Sequence, residues 1–312
     1  MKKVLLLLVS LFFIVCFIFI YTNISKKNLT ASFYHWENSF NEKNVKDKVY
    51  IKILDIAYST KIEAIKTTFE QKPTKGFIPV VYITNETMKN IDYKIISDLI
   101  IKTLKTYNYN ELQIDCDWSL QSKSNYFNLL EDLKSRLNKT LSATIRLHQI
   151  KYFQKTGIPP IDYGVLMYYN MSTITDINTV NSILDNDIAK KYHYNFDVYK
   201  LKLKLALPLY SQAIQFRDEK ALDIFEGVIK TDFDKNFKKI SKNKFEVLQS
   251  TYFKGRYIYK GDIFRFEDSN LEDLSIALND FFKLSKNSFD EVIFYTLKYK
   301  NKYNLEELLK GN

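Results

Sequence analysis

Apolar runs recur along this chain with amphipathic stretches between them, the pattern typical of alternating strands and helices. The run at 111–118 alternates most clearly, because Asp115, Asp117 and Ser119 fall on one face and apolar residues on the other. Similar runs predict seven further strands, at 32–36, 49–57, 77–83, 141–147, 164–169, 203–209 and 291–297. Apolar residues at helical spacing predict helices at 96–104, 126–137, 181–194, 271–284 and from 305 onward.

Eight strands with mostly helical connections, spread over about 280 residues, predict an α/β fold of the (β/α)8 TIM-barrel type. We place this barrel at 31–312, with a polar linker at 22–30 before it. The region at about 211–270 departs from the alternation, because it contains short strand-like runs with Gly255 and Gly261 at turns. We interpret it as an excursion after strand seven rather than as a separate domain.

The amino terminus carries an apolar segment at 4–20, preceded by Lys2 and Lys3. It is long for the core of a cleaved signal peptide and just long enough to span a bilayer, and no small-residue cleavage site ends it. We therefore expect residues 1–21 to form an uncleaved signal anchor, a transmembrane helix. The globular part is then exported, to the periplasm or the exterior of a bacterial cell.

Composition narrows the choice of partners and cofactors. The 312-residue chain has a formal net charge of +10, but its lysines are scattered and form no basic aromatic patch, so nucleic-acid binding is not expected. Cys16 and Cys116 provide no disulfide framework. The three histidines lack the spacing of metal ligands, and with only seven glycines there is no phosphate-binding loop. We therefore predict neither a metal nor a cofactor.

The working residues of (β/α)8 barrels lie at the carboxyl ends of the strands and in the loops that follow. The candidate acids and bases at these positions are Glu37, Asp55, Glu86, Asp115, Asp117 and His148. The candidate binding residues are Trp36, Arg146, Tyr169, Asn170, Tyr210 and Gln212. Convergence of such groups at most strand ends is what a ligand pocket requires.

Each candidate also has a purely structural interpretation. Two neighbouring aspartates are costly to bury unless they are paired, so Asp115 and Asp117 are either a site or members of buried salt bridges. Arg146, on the adjacent predicted strand, either pairs with them or contacts a ligand directly. His148 is either a general acid or base or a hydrogen-bonding element. The aromatic residues belong either to the core or to a surface on which sugar rings stack.

Three segments resemble signature motifs of family 18 glycoside hydrolases, the chitinases and endo-N-acetylglucosaminidases. They are IDCDWS at 114–119 on strand four, MYYN at 167–170 on strand six and LPLY at 207–210 on strand seven. Segments 113–118 and 142–149 also resemble an uncharacterised bacterial family of unknown-function domains with the same barrel layout. The resemblance implies a carbohydrate ligand, with Asp117 as the carboxylate that steadies the substrate's acetamido group and Asp115 as its supporting neighbour.

Two departures from that family limit what it implies. The glutamic acid that protonates the leaving group in the family is Ser119 here, and the aspartate of the sixth-strand motif is Asn170. Loss of a general acid costs roughly 10²–10⁴-fold in rate unless another group replaces it. Two functions therefore stay open. One is a membrane-tethered glycoside hydrolase whose acid is Glu37, Glu86 or His148, and the other is a catalytically inactive module that binds a glycan or a protein.

Overall fold

The computed structural model describes residues 28–43, 45–71, 73 and 76–310. The predicted transmembrane helix at 1–21 and most of the predicted linker lie outside these residues. Within the described part of the chain, none of the helices combines the length and the apolar character needed to cross a bilayer.

Eight parallel strands form a closed barrel, and this confirms the predicted (β/α)8 fold. In chain order they are β1 (Thr30–His35), β2 (Lys48–Tyr58), β3 (Ile78–Ile83), β4 (Glu111–Asp115), β5 (Thr140–Arg146), β6 (Tyr163–Met167), β7 (Leu203–Pro208) and β8 (Ser288–Tyr295). Closure follows from the pairing of β1 with both β8 and β2. Each predicted strand matches one of these to within a few residues.

Both faces of the barrel strands are buried, which explains their nearly continuous apolar sequences. One face packs against the helices in the main core. The other face fills the interior with a second cluster that is rich in tyrosine and includes Tyr34, Tyr50, Tyr163 and Tyr169. Charged groups share this interior, and Lys204 lies 3.1 Å from Glu291.

The helices are α1 (Asn85–Asn90), α2 (Tyr93–Leu104), α3 (Lys123–Leu137), α4 (Leu147–Lys151), α5 (Phe153–Thr156), α6 (Asn186–Lys190), α7 (Leu271–Leu284) and α8 (Leu305–Lys310). Short 3₁₀ turns occur at Lys230–Asp232 and Leu297–Lys302. Side chains fix several helix starts, because Thr84, Asp92 and Asn270 accept hydrogen bonds from backbone N–H groups of the first turn.

The predicted helix at 181–194 is wrong in extent, since only Asn186–Lys190 is helical. The Asn181 side chain accepts hydrogen bonds from the backbone N–H groups of Ile183 and Leu184, which holds this stretch in a turn. The first two connections of the barrel also differ from the helical alternation. They contain the short strands Ser39–Phe40, Ile62–Lys66 and Thr68–Phe69, and the second of these runs antiparallel to β2.

The excursion after strand seven is a small β-structure inserted between β7 and α7. Five strands form an antiparallel sheet, namely Ser211–Arg217, Lys220–Glu226, Phe237–Lys239, Lys244–Val247 and Ile263–Asp268. A hairpin of Thr251–Phe253 and Arg256–Ile258 adjoins it. We call residues 211–268 the insertion. It has its own phenylalanine core, in which the rings of Phe233 and Phe245 stack 4.0 Å apart.

Candidate functional site

The two aspartates of the fourth-strand motif occupy different environments. β4 ends at Asp115, so Asp117 and Ser119 lie in the loop that follows, and the predicted strand at 111–118 is too long at its carboxyl end. Asp115 is buried, whereas the Asp117 side chain is 55% exposed. The chain leaves the strand because the backbone N–H of Ser119 donates to Ser122 Oγ, which closes a turn ahead of α3.

The carboxyl group of Asp115 has a perturbed pKa. Its pKa is raised to about 6, chiefly by burial and in smaller part by the nearby negative charge of Asp117. A 2.6 Å hydrogen bond from Thr144 Oγ1 to Asp115 Oδ1 and the positive charge of Arg146 oppose this rise. The result is a buried carboxyl group that exchanges its proton near neutral pH.

Arg146 forms a bidentate ion pair with Asp117. Its Nε lies 2.7 Å from Asp117 Oδ1 and its Nη2 lies 2.8 Å from Oδ2. Of the two interpretations drawn from the sequence, the structure thus contains the pairing of Arg146 with an aspartate. Because the fork of the guanidinium matches the carboxylate, the pair fixes the orientation of Asp117 at the end of the barrel.

Ser119, at the position of the family's acid, takes part in a local turn. Its backbone N–H donates to Ser122 Oγ at 2.9 Å, and Ser122 Oγ donates in turn to Asn85 Oδ1 at 2.6 Å. A serine hydroxyl does not act as a general acid near neutral pH. Ser119 therefore stabilises the turn before α3 and does not act as a proton donor.

His148 does not lie on strand five, as we expected, but in the first turn of α4. β5 ends at Arg146, whose backbone N–H donates to the side chain of Gln149 at 2.7 Å and so begins the helix. His148 is exposed. Desolvation and the positive charge of Arg146 lower the pKa of its imidazole, so the neutral form dominates at pH 7.

The aromatic rings of Trp36, Tyr169 and Tyr295 lie together at the carboxyl end of the barrel, and we call this cluster the ring wall. Tyr169 stacks on Tyr295 with ring centroids 5.6 Å apart, and Trp36 meets Tyr295 edge to face at 6.0 Å. Tyr210 donates its hydroxyl to Asn170 Oδ1 at 2.8 Å, which holds the Asn170 side chain in place. These rings come from the ends of β1, β6, β7 and β8.

Two cavities flank the ring wall. The first, of about 180 Å³, lies between the barrel and the insertion, and we call it the Glu226 cavity. It is lined by His35, Trp36, Glu37, Glu42, Glu226, Tyr295, Thr296 and Lys298. The second, of about 80 Å³, is the Arg146 cavity, lined by Arg146, Leu147, His148, Met167, Tyr169, Asn170, Met171 and Tyr192. Both lie at the carboxyl ends of the strands, where barrels carry their sites.

Several predicted site residues do not line either cavity. Glu86 is exposed in α1, where it accepts a 2.6 Å hydrogen bond from Asn90 Nδ2. Gln212 is buried in the insertion and donates its amide to Glu267 Oε2 at 2.9 Å. Asp55 lies 2.8 Å from the ammonium of Lys52. Among the described residues, no group of three or more histidine, cysteine or acidic side chains is arranged to hold a metal ion.

The sequence interpretation missed Tyr295, Lys298 and Glu226, which line the first cavity. Tyr295 ends the eighth strand and Lys298 follows it, so the rule that singled out the other strand ends would also have found these two. Glu226 ends a strand of the insertion, and no pattern in the sequence connects it with the mouth of the barrel. Its hydrogen bond from the Tyr299 hydroxyl, at 2.6 Å, is visible only in the fold.

No protein-family model matches the sequence, and the search of curated proteins gave no match either. Solved structures do resemble the fold. The Bacillus cereus spore cortex-lytic enzyme SleL superposes with a TM-score of 0.56 at 11% identity, covering 92% of this chain and 75% of that one. A chitinase from Chromobacterium violaceum gives 0.52 at 8% identity, covering 87% of this chain and 95% of its own. The fold is that of a (β/α)8 barrel similar to those of these two enzymes.

The resemblance drawn from the three motifs is thereby confirmed at the level of the fold. Sequence identities of 8% and 11% carry no catalytic residue from those enzymes to this chain. In this barrel, the first aspartate of the strand-four motif is buried with a raised pKa, the second is held by arginine, and residue 119, which corresponds to the acid in the resemblance, is a serine.

Proposed function

We propose that this chain binds a glycan at the carboxyl end of the barrel. The observation that supports this most is the ring wall, in which the partly exposed rings of Trp36 and Tyr295 are backed by the buried ring of Tyr169, with a cavity on each side of it. Sugar rings pack their apolar faces on aromatic rings and direct their hydroxyls at charged and amide groups. Arg146, His148 and Asn170 supply such groups in one cavity, and Glu37 and Glu226 do so in the other.

Binding needs no proton transfer, and the motif residues favour this simpler role. Asp117 is already neutralised by Arg146, and Ser119 belongs to a turn. These contacts hold polar side chains in place at the end of the barrel, and the position of the family's general acid is a serine. A rigid site of this kind orders few side chains upon binding, so less entropy opposes the ligand.

Isothermal titration of the full-length chain against chitin, peptidoglycan and other α- and β-linked oligosaccharides tests this proposal. The chain is kept in a detergent without a sugar headgroup. We expect saturable binding of at least one class and at least tenfold weaker binding by Trp36→Ala. The matched control is Tyr109→Ala, which removes a partly buried ring just before β4, at the opposite end of the barrel. Equal affinity in both variants would contradict binding at the ring wall.

Hydrolysis of the glycan is the second candidate, and the pKa of about 6 at Asp115 favours it. A carboxyl group that titrates near neutral pH beside a second carboxylate is a common acid–base arrangement. The proton donor would come from another element, and Glu37 is the one predicted acid that lines the Glu226 cavity.

Cleavage is tested by incubating the same oligosaccharides with the chain and following reducing ends. Turnover that falls at least a hundredfold in both Asp117→Asn and Glu37→Gln would identify an enzyme. Binding without any turnover would leave the chain a binding module and remove this candidate.

We further propose that the amino-terminal segment anchors the chain in a membrane, with the barrel exported. Its apolar run at 4–20 supports this. β1 begins at Thr30, so the chain enters the barrel at the end opposite the ring wall. We expect the full-length chain to resist alkaline carbonate extraction from bacterial membranes. Deletion of residues 1–21 should abolish this resistance.

A further inference from the structure

The Glu226 cavity joins three parts of the chain that are distant in sequence. Trp36 and Glu37 follow β1, Tyr295 and Lys298 come from the end of β8, and Glu226 comes from the insertion. The insertion therefore completes a cavity that the barrel alone would leave open. Rings form part of its wall, since Trp36 and Tyr295 lie 6.0 Å apart. This cavity can hold a sugar-sized group, at about 180 Å³.

An ammonium group already lies between two carboxylates of this cavity. Lys298 Nζ is 3.2 Å from Glu37 Oε1 and 3.7 Å from Glu226 Oε1. The position of Glu226 is fixed from behind, because the Tyr299 hydroxyl donates to its Oε1 at 2.6 Å. All three charged side chains are about half exposed, so the lysine is held only weakly and can be exchanged for another cation.

The charge of the cavity is opposite to that of the chain. Three carboxylates, those of Glu37, Glu42 and Glu226, line it together with one lysine, whereas the whole chain carries a formal charge of +10. An aromatic face next to carboxylates attracts organic cations. The net positive charge of the chain repels a cation at long range, so the groups that line the cavity would have to provide the attraction.

We propose that the Glu226 cavity selects glycans that carry an unacetylated amino sugar, whose ammonium replaces that of Lys298 between Glu37 and Glu226. This inference rests on the proposed glycan-binding function and names its ligand class. The sugar ring lies against Trp36 and Tyr295, and its ammonium is held by the two carboxylates. An N-acetylated sugar has no positive charge, so it leaves the lysine in place and gains no ion pair.

The test compares two probes, the tetramers of glucosamine and of N-acetylglucosamine, by isothermal titration against the full-length chain in a detergent without a sugar headgroup. We expect the glucosamine tetramer to bind at least tenfold more tightly at low ionic strength, with an advantage that shrinks as salt is added. Glu226→Gln should reduce this advantage at least fivefold. Lys298→Met should increase it, because the competing ammonium is gone.

Glu131→Gln is the matched control, since Glu131 is an exposed carboxylate on α3 with no place in the cavity, and it should leave both affinities unchanged. Equal binding of the two tetramers would overturn this inference and leave the glycan-binding function intact. An advantage that is the same in Glu226→Gln and Lys298→Met as in the parent chain would also overturn it. Failure of both tetramers and of every other glycan to bind would overturn the proposed function together with this inference.

Discussion

At the scale of single residues, the neighbours of Asp115 determine the pKa of its carboxyl group. Its carboxyl group is buried, accepts one hydrogen bond from Thr144 and lies close enough to Asp117 and Arg146 to feel both charges. Burial outweighs the favourable contacts, which is why the pKa rises to about 6 rather than falling. Asp117, in contrast, gains a fixed partner and remains accessible.

This raised pKa makes stability depend on pH in a defined direction. An unfolded aspartate has a pKa of about 3.9, so between about pH 4 and pH 6 the native state holds a proton that the unfolded state has lost. The free energy of unfolding contributed by Asp115 therefore falls as pH rises through this window. A shift of about two units corresponds to about 3 kcal/mol.

Asp115→Asn should remove that dependence, because the amide stays neutral and its oxygen still accepts the Thr144 hydroxyl. We expect the variant to equal the parent chain near pH 4 and to exceed it by about 2–3 kcal/mol above pH 6. Chemical denaturation at a series of pH values measures the difference. Parallel stability curves for the two proteins would show that Asp115 titrates normally.

At the scale of elements, the junction between the insertion and β8 determines the shape of the Glu226 cavity. Gly227 follows the second insertion strand, Lys220–Glu226, with φ of +74°, a left-handed conformation that glycine adopts without strain. A Cβ added there would meet the Tyr299 hydroxyl at 2.9 Å. That same hydroxyl holds Glu226, so the glycine, the tyrosine and the glutamate form one contact.

Gly227→Ala should therefore cost more than the backbone penalty of about 1–3 kcal/mol for an alanine in this conformation. Gly255→Ala is the matched control, because its φ is +83° but an added Cβ would have nothing within 4 Å. We expect a larger drop in melting temperature for Gly227→Ala than for Gly255→Ala. Equal drops would mean that the Tyr299 contact does not hold the insertion against the barrel.

Element positions could be predicted from the sequence where burial on both faces makes a run nearly all apolar, as in β2 and β7. Element ends were predicted less well, because polar contacts set them. The hydrogen bond of Ser122 ended β4 before Asp117, and that of Gln149 ended β5 before His148. Asp117 and His148 therefore lie just beyond the strands on which the sequence placed them.

The site as a whole was less accessible to prediction than the fold. The pairing of Arg146 with Asp117 followed from adjacent strands, and the sequence indicated it. The contact of Glu226 with Tyr299 joins an insertion strand to the residues after β8, and it depends on how the insertion packs against the barrel. The periodicity of apolar residues within one segment does not indicate how that segment packs against another.

At the scale of the whole molecule, the chain carries a formal charge of +10, whereas the Glu226 cavity is lined by three carboxylates and one lysine. The fold resembles that of chitinase and cortex-lytic structures, whereas the residues of the motif differ from the family pattern at the acid position. A (β/α)8 barrel can bind a ligand without catalysing a reaction, because the barrel residues determine stability whereas the residues at the strand ends determine binding and catalysis.

The central claim, that a glycan binds at the carboxyl end of the barrel, is tested most directly with methionine methyl groups. Met167 and Met171 line the Arg146 cavity, whereas Met88 is buried in α1 away from both cavities. In the full-length chain with ¹³C-methyl methionine, we predict that a bound oligosaccharide shifts the resonances of Met167 and Met171 saturably and leaves that of Met88 unchanged. Saturable binding that shifts neither these two resonances nor the indole N–H resonance of Trp36, in the Glu226 cavity, would contradict the account.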